Sequence, residues 1–217
     1  RRHLEGDFAS QRNYGLSKAK GDWVLFVDAD EIVSKELASE IKYRLFRLGK
    51  SFSGQAKSLS NQVTGFYLKR LDYFLGQWLR YGETGSIRLI RLARREAGTW
   101  KGRVHEHWGI EGKVGQLNNP LLHYSHKNIS LFLKKINRYT DIVAQYWKEQ
   151  GREITFWQIL LYPLGKFIHN YLVRRGFLDG VPGLIMALMM SFHSFLTRGK
   201  LWLSIKNFKK KNNGNSV

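Results

Sequence analysis

The 217-residue sequence contains no cysteine. A disulfide framework is excluded, and so is a thiolate metal site. Proline is scarce, with three residues in all. No low-complexity tract appears before the last few residues, so most of the chain is expected to fold. Long apolar runs are missing too. The longest, residues 184–196, is interrupted by Ser191, His193 and Ser194, and none reaches the roughly 20 residues of a spanning helix. No signal-peptide pattern follows Arg1. Acidic residues are few: 17 Asp and Glu stand against 36 Lys and Arg, a formal net charge of +19. That balance calls for an anionic partner: nucleic acid, an anionic membrane surface or a phosphorylated substrate.

What is present begins with a periodic segment. Residues 10–20 read as a helix with Ala9, Leu16 and Ala19 inward and Gly21 as its stop. Residues 23–27, WVLFV, form a short continuous apolar run, which fits a strand buried on both faces in a parallel sheet. Asp28-Ala29-Asp30-Glu31 follows at its carboxyl end. Residues 34–48 then predict an amphipathic helix, with Ser34 as cap and Leu37, Ile41, Leu45 and Leu48 inward. Helix, strand, acidic tip and helix make one piece of an open α/β sheet, and such sheets bind ligands outside the carboxyl ends of their strands.

Farther on, residues 51–60 read as a loop, and residues 65–71, 86–92, 114–117 and 121–124 as strands. The aromatic stretch 73–81 reads as a lid or acceptor-side loop. From Ser130 helices dominate. Residues 131–146 carry Leu133, Ile136, Tyr139 and Val143 on one side, and residues 154–175 contain Pro163 as a kink. Residues 176–180 form a turn. Residues 181–195 and 201–208 are two further helices, and 209–217 is a basic, Asn-rich tail expected to be disordered.

Two carboxylates one residue apart can converge on a hard cation. Magnesium and manganese prefer oxygen ligands and keep positions open for substrate phosphates. The plainer alternative is a polar strand-to-helix turn, with Asp30 or Glu31 near a helix amino terminus. The wider pattern favours the first. The string GDWVLFVDADE at 21–31 follows Gln11-Arg12-Asn13-Tyr14-Gly15-Leu16. VHEHW stands at 104–108, LLHYSHKNIS at 121–130, KKINRYTDIVA at 134–144 and GFLDGVPG at 176–183. This ordered series resembles the family 2 glycosyltransferases of the nucleotide-diphospho-sugar (GT-A) fold, in the branch of the lipopolysaccharide core β-glucosyltransferases. The resemblance runs from Gln11 to about Leu203.

The resemblance implies an α/β fold: a partial GT-A fold, an open mixed sheet flanked by helices, with a carboxyl-terminal amphipathic helical region. It implies an incomplete catalytic domain over 1–127, because nothing matches the first βαβ unit that holds the nucleotide base. A helical, membrane-associating region over 128–208 and the tail 209–217 follow. The activity implied is transfer of a sugar from a nucleotide-diphosphate donor to a glycolipid or lipopolysaccharide-core-like acceptor. It would be inverting and dependent on Mg2+ or Mn2+. Metal ligands would be Asp30 and Asp28, with His123 and His105 as further candidates. Arg12, Asn13, Asp28 and Asp30 would face the donor. Glu106 would be the general base, with Asp72 and Glu83 as rivals. Arg88, Arg91, Arg94 and Arg95 are candidates for holding a diphosphate or an anionic acceptor. HEH at 105–107 is not a zinc site, since His105 and His107 point to opposite faces of a strand and no third ligand is evident.

The basic, aromatic carboxyl-terminal helices suit an anionic membrane interface; a packed helical subdomain or a dimer interface accounts for the same apolar faces. No recognition helix, zinc finger or RNA-binding strand motif appears, so nucleic acid is not the expected partner. The expected location is cytoplasmic, peripheral on the inner face of the cytoplasmic membrane. The alternative reading is a basic membrane- or nucleic-acid-binding module without catalytic activity.

Overall fold

The computed structural model describes residues 7–50, 62–102, 106–126 and 128–213. The loop expected at 51–60 and His105 lie outside the described residues. The chain divides into two units, Arg1–Asp72 with Ser86–Ser125, and Tyr73–Gly85 with His126–Val217.

In the first unit, helix α1 (Phe8–Lys18) starts earlier than its apolar spacing suggests, because Asp7 caps it. The Asp7 carboxylate accepts the Ser10 N–H at 3.0 Å, satisfying a donor that the first turn leaves open. Strand β1 (Trp23–Leu25) and the two-residue β2 (Glu31–Ile32) flank the acidic tip. Helix α2 (Lys35–Lys50) begins at Ser34, whose hydroxyl accepts the Leu37 N–H at 3.1 Å. Strand β3 (Val63–Phe74) follows, then, after β4 (Gln77–Leu79) of the second unit, β5 (Arg88–Arg94), β6 (Gly98–Lys101), β7 (His107–Ile110), β8 (Lys113–Gln116) and β9 (Leu121–His126).

The sheet is mixed. Its order is β1-β5-β3-β9-β2, with β4 and β8 also paired to β3. β5 is antiparallel to β1 and to β3, whereas β8 is parallel to β3. β6 and β7 form a separate antiparallel hairpin. This is an α/β arrangement of a partial GT-A type.

The apolar run WVLFV serves two faces, as period-two alternation requires. Trp23 and Leu25 pack on a core of Leu37, Phe66, Leu68, Leu92, Leu117 and Leu121. Val24 and Phe26 pack on Ala9, Leu16, Ala93, Trp100 and Trp108. One expectation needs correction. β1 is only half-buried and its ladder is antiparallel, because it ends the strand order with β5 as its partner. Helix α2 matches its predicted face: Leu37 is fully buried, a burial that contributes about 2 kcal/mol, and Ile41, Leu45 and Leu48 pack beside it.

In the second unit, residues 73–81 are a hairpin rather than a loop. Leu75 and Gly76 both take positive φ, 47° and 90°, the backbone that a tight two-residue turn demands. Helix α3 (Ile129–Glu149) buries Phe132, Ile136, Thr140 and Val143. Its inner ridge therefore runs one residue out of phase with the expected Leu133 and Tyr139, and Leu133 faces solvent. Helix α4 (Phe156–Ile168) opens with a Thr155–Gln158 capping box and runs through Pro163 into a π-helical turn, His169–Val173. A 3-10 turn, Gly176–Asp179, leads to α5 (Gly180–Asn213). α5 is one helix, not two. Gly199 costs about 1 kcal/mol there, too little to break a helix whose flanking Thr197 and Leu201 are buried. It extends to Asn213, into the stretch expected to be tail.

Candidate active site

After β1 the chain leaves the sheet as a tight turn. The Glu31 N–H returns to the Asp28 carbonyl at 3.0 Å, and the Tyr124 N–H reaches the Asp30 carbonyl at 2.8 Å. β2 then pairs with β9, setting Glu31 opposite His123. The acidic tip is thus pinned from both sides by backbone, and its two aspartates serve two different groups of residues.

Asp28 turns toward α1 and β5. Its carboxylate takes the Arg12 guanidinium at 2.9 and 3.1 Å and Arg91 at 2.6 Å. Arg12 reaches on through Nε to Glu106 at 3.2 Å, and its guanidinium lies 4.6 Å from the centre of the Trp100 ring. Glu31 completes the group. Its fully buried side chain accepts the Asp28 N–H at 2.9 Å and lies 3.4 Å from Arg91. Burial alone pushes the Asp28 carboxyl up, but the Arg91 and Arg12 charges outweigh it and hold it below its ordinary 3.8. Asn13, one residue from Arg12, uses its amide on the Trp100 backbone, donating at 2.9 Å and accepting at 2.8 Å. It locks α1 onto the β6–β7 hairpin and so fixes the direction from which Arg12 enters.

Asp30 turns toward β9. Its Oδ2 lies 3.5 Å from His123 Nε2. The other ring nitrogen, Nδ1, meets Asp72 at 2.9 Å, and Asp72 is gripped by Arg70 through two bonds, 2.9 and 3.2 Å. Burial raises the Asp72 carboxyl, yet the His123 hydrogen bond and the Arg70 charge prevail and keep it below 3.8. Asp72 is therefore an ionised acceptor, to which the His123 Nδ1–H donates, and the ring's Nε2 edge is left facing Asp30.

Of the residues expected to act together, the structure joins Arg12, Asp28 and Glu106 directly, and Asp30 with His123. Arg91 joins them from the basic strand. Arg88 instead bonds Gln116 at 3.0 Å, and Arg95 bonds Glu96 at 2.9 Å. Glu83 lies in the second unit, bound to Lys166 and Asn170. Sequence reasoning missed Glu31, Arg70 and Trp100, and read Asp72 as a rival base rather than as the partner of His123. A signal for Asp72 exists. It falls in phase with Thr64, Phe66, Leu68 and Phe74, all inward on β3, and an acid at an inward strand position needs a buried partner.

Asp30 and His123 are the side chains that could contribute to holding a cation. Asp30 offers oxygen and His123 nitrogen, and the ring is oriented from behind by Asp72, the carboxylate–histidine arrangement common behind metal ligands. Five carboxylic side chains (Asp28, Asp30, Glu31, Asp72, Glu106) stand with three guanidiniums (Arg12, Arg70, Arg91) and His123. Among the described residues no three His, Asp or Glu side chains converge into a cage. Arg91 Nε and Trp100 Nε1 are buried N–H groups without a hydrogen-bond partner among the described residues.

Residues 1–108 match the model of the family described as glycosyl transferase family 2. An uncharacterized glycosyltransferase of Rickettsia conorii is 27% identical over 200 residues, covering 89% of this chain and 69% of the relative. One of Rickettsia felis is 26% identical over 208 residues, covering 93% and 71%. The lipopolysaccharide core biosynthesis glycosyltransferase LpsC of Rhizobium meliloti is 25% identical over 198 residues, covering 90% and 69%.

Proposed function

We propose that this chain, which belongs to glycosyl transferase family 2, moves a sugar from a nucleotide-diphosphate donor to a lipopolysaccharide-core-like glycolipid, with inversion and with a divalent ion. The observation that carries the reading is the divided acidic tip. Asp28 organises two guanidiniums, and Asp30 stands beside a histidine already oriented by a buried carboxylate.

Asp30 and His123 would hold Mg2+ or Mn2+, which supplies positive charge to the diphosphate as it departs. Asp28 keeps Arg12 and Arg91 in place, and Asn13 keeps Arg12's helix in place, so that their N–H groups flank the donor without reorganisation. Glu106, oriented by Arg12, accepts the proton of the acceptor hydroxyl. The oxygen forms its bond to the anomeric carbon from one face, and the bond from that carbon to the diphosphate oxygen breaks on the other. One displacement inverts the centre, and the nucleoside diphosphate leaves. The acceptor class is supported by the name of the Rhizobium meliloti relative and by the chain's charge of +19, which suits phosphorylated glycolipid in an anionic leaflet at the inner face of the cytoplasmic membrane.

The test is manganese binding by electron paramagnetic resonance together with nucleoside diphosphate release. Asp30→Ala is expected to lose both. Retained manganese binding in Asp30→Ala and His123→Ala would sink the metal assignment. Turnover unaffected by chelator would sink metal dependence.

A further inference from the structure

The second unit carries a surface that the transfer chemistry does not use. On α4 and the π turn, Phe156, Trp157, Leu160, Leu164, Leu172 and Val173 are each more than half exposed. Phe156, Leu160 and Leu164 follow one another at four-residue spacing on α4, and Leu172 continues the exposed apolar surface on the π turn. The packed side of α4 carries Pro163, which is buried and whose carbonyl accepts the Ser191 hydroxyl at 2.7 Å. The helix is therefore apolar side out, which in water marks an interaction surface.

The turn that follows has the same bias. Arg175 takes a left-handed φ of 57°. A side chain at Gly176 would meet the Asn170 carbonyl at 2.7 Å, and one at Gly183 would run into the Gly176 carbonyl. Asp179 accepts the N–H groups of Arg80 and Tyr81 at 3.1 and 2.9 Å. The folding roles in GFLDGVPG thus fall to its glycines and to Asp179. Phe177 and Leu178, about half exposed, are held outward on a rigid turn.

Charge selects the partner. From residue 154 to the end there are nine Lys and Arg and one acid, Asp179, whose carboxylate is engaged with backbone. Arg174 and Arg175 are exposed at the turn. A second copy meeting this face by twofold symmetry would set those arginines against their own images, whereas an anionic leaflet accepts both the apolar ridge and the charge.

We infer that residues 156–181 form an in-plane membrane anchor, seated at the headgroup–acyl boundary of an anionic leaflet, and that α5 does not cross the bilayer. The inference rests on the proposed action at a membrane surface and specifies how the surface is held. By length and composition alone, residues Gly176–Lys206 could cross. The partners of α5 argue otherwise. Met186 and Met189 pack with Phe132 and Ile136 of α3. The Lys200 ammonium reaches the Asn137 carbonyl at 2.6 Å, Thr140 at 2.9 Å and the Asp141 carboxylate at 2.7 Å. A crossing α5 would draw this charged helix into hydrocarbon or leave Lys200 there alone.

Because the chain has no cysteine, one introduced thiol is a unique reporter. Leu160→Cys, Leu172→Cys, Leu178→Cys and, as the reference on α3, Gln145→Cys are each labelled with an environment-sensitive fluorophore. The full chain is then mixed with phosphatidylglycerol–phosphatidylethanolamine vesicles. The first three probes are expected to shift to the blue and to be quenched best by lipid spin-labelled near the headgroup, while the probe at 145 stays water-like. Leu172→Ser combined with Leu178→Ser is expected to lower vesicle partitioning on the order of tenfold or more. If the protein floats with vesicles but the three probes stay water-like, the anchor is wrong and the membrane reading stands. If the protein does not float, the membrane reading itself fails. Strongest quenching from the bilayer centre, with Leu203→Cys protected from an impermeant thiol reagent, would show a crossing α5. Blue-shifted probes and a dimeric mass without lipid would assign the face to a second copy. Each of these overturns the inference.

Discussion

Arg91 is the residue whose removal should matter most to folding within the site. Its guanidinium stands between Asp28 and the fully buried Glu31. Arg91→Met keeps the volume but leaves the Glu31 charge in the interior without its cation. Breaking a buried pair from one side costs about 3–5 kcal/mol, so the urea midpoint of Arg91→Met should fall by an amount of that order, and Arg91→Met with Glu31→Gln should recover much of it. A full loss in the double variant would mean that packing, not charge, is what Arg91 supplies. Asp72 makes the opposite case, a residue expected to matter more to function than to fold. Asp72→Ala leaves Arg70 with solvent access but removes the acceptor that selects the His123 tautomer. Manganese affinity should fall about 10–100-fold, and nitrogen resonances of His123 should report mixed tautomers. Unchanged affinity would make Asp72 a folding residue only.

At the scale of elements, the α1, β1 and α2 segments were legible because each carries its own local signal: an apolar period, a cap, or a turn residue. Ser34 capping α2 is such a case. What was not legible depended on pairing between distant strands. Nothing in WVLFV says that β1 lies at the end of the strand order, or that a two-residue β2 separates the acidic tip from α2. The pairing of β2 with β9 is also what brings Asp30 to His123, so half of the site was invisible without the ladder, although both residues were singled out by motif. Another tie of this kind makes a pH prediction. Glu40 on α2 accepts the N–H groups of Asn118 and Asn119 and the Asn119 side-chain amide, at 2.8–3.1 Å. Burial raises its carboxyl, but the Asn119 and Asn118 donors outweigh that and hold it below the ordinary 4.5. A group with a depressed folded value contributes stability above its unfolded value and loses it as pH falls through the folded one. Glu40→Gln should therefore lower the thermal midpoint at neutral pH, and the gap to the parent should close as pH drops below 4.5. A gap constant across that window would show that shape, not charge, joins α2 to the turn between β8 and β9.

For the whole molecule, the proposed anchor would draw separately on the net charge of +19 and on the outward apolar surface of α4, and salt tells the two apart. Screening shortens the reach of exposed charges from about 10 Å at 0.1 M salt to about 3 Å at 1 M, while apolar insertion is not screened. Each basic residue near an anionic leaflet contributes on the order of 1 kcal/mol, and these terms should vanish together as salt rises. The fraction bound to anionic vesicles should therefore drop steeply with salt to a plateau. Zwitterionic vesicles should show that same low plateau at every salt concentration. The plateau belongs to Phe156, Leu160, Leu172 and their neighbours, so Leu172→Ser with Leu178→Ser should lower it while leaving the steepness of the salt dependence intact. Replacing Arg174 and Arg175 by Gln should do the reverse, flattening the salt dependence and sparing the plateau. If both pairs of substitutions moved both features, charge and apolar surface would not be acting as independent holds, and the chain's basicity would have to be assigned elsewhere, to the phosphorylated substrate rather than to the leaflet that carries it.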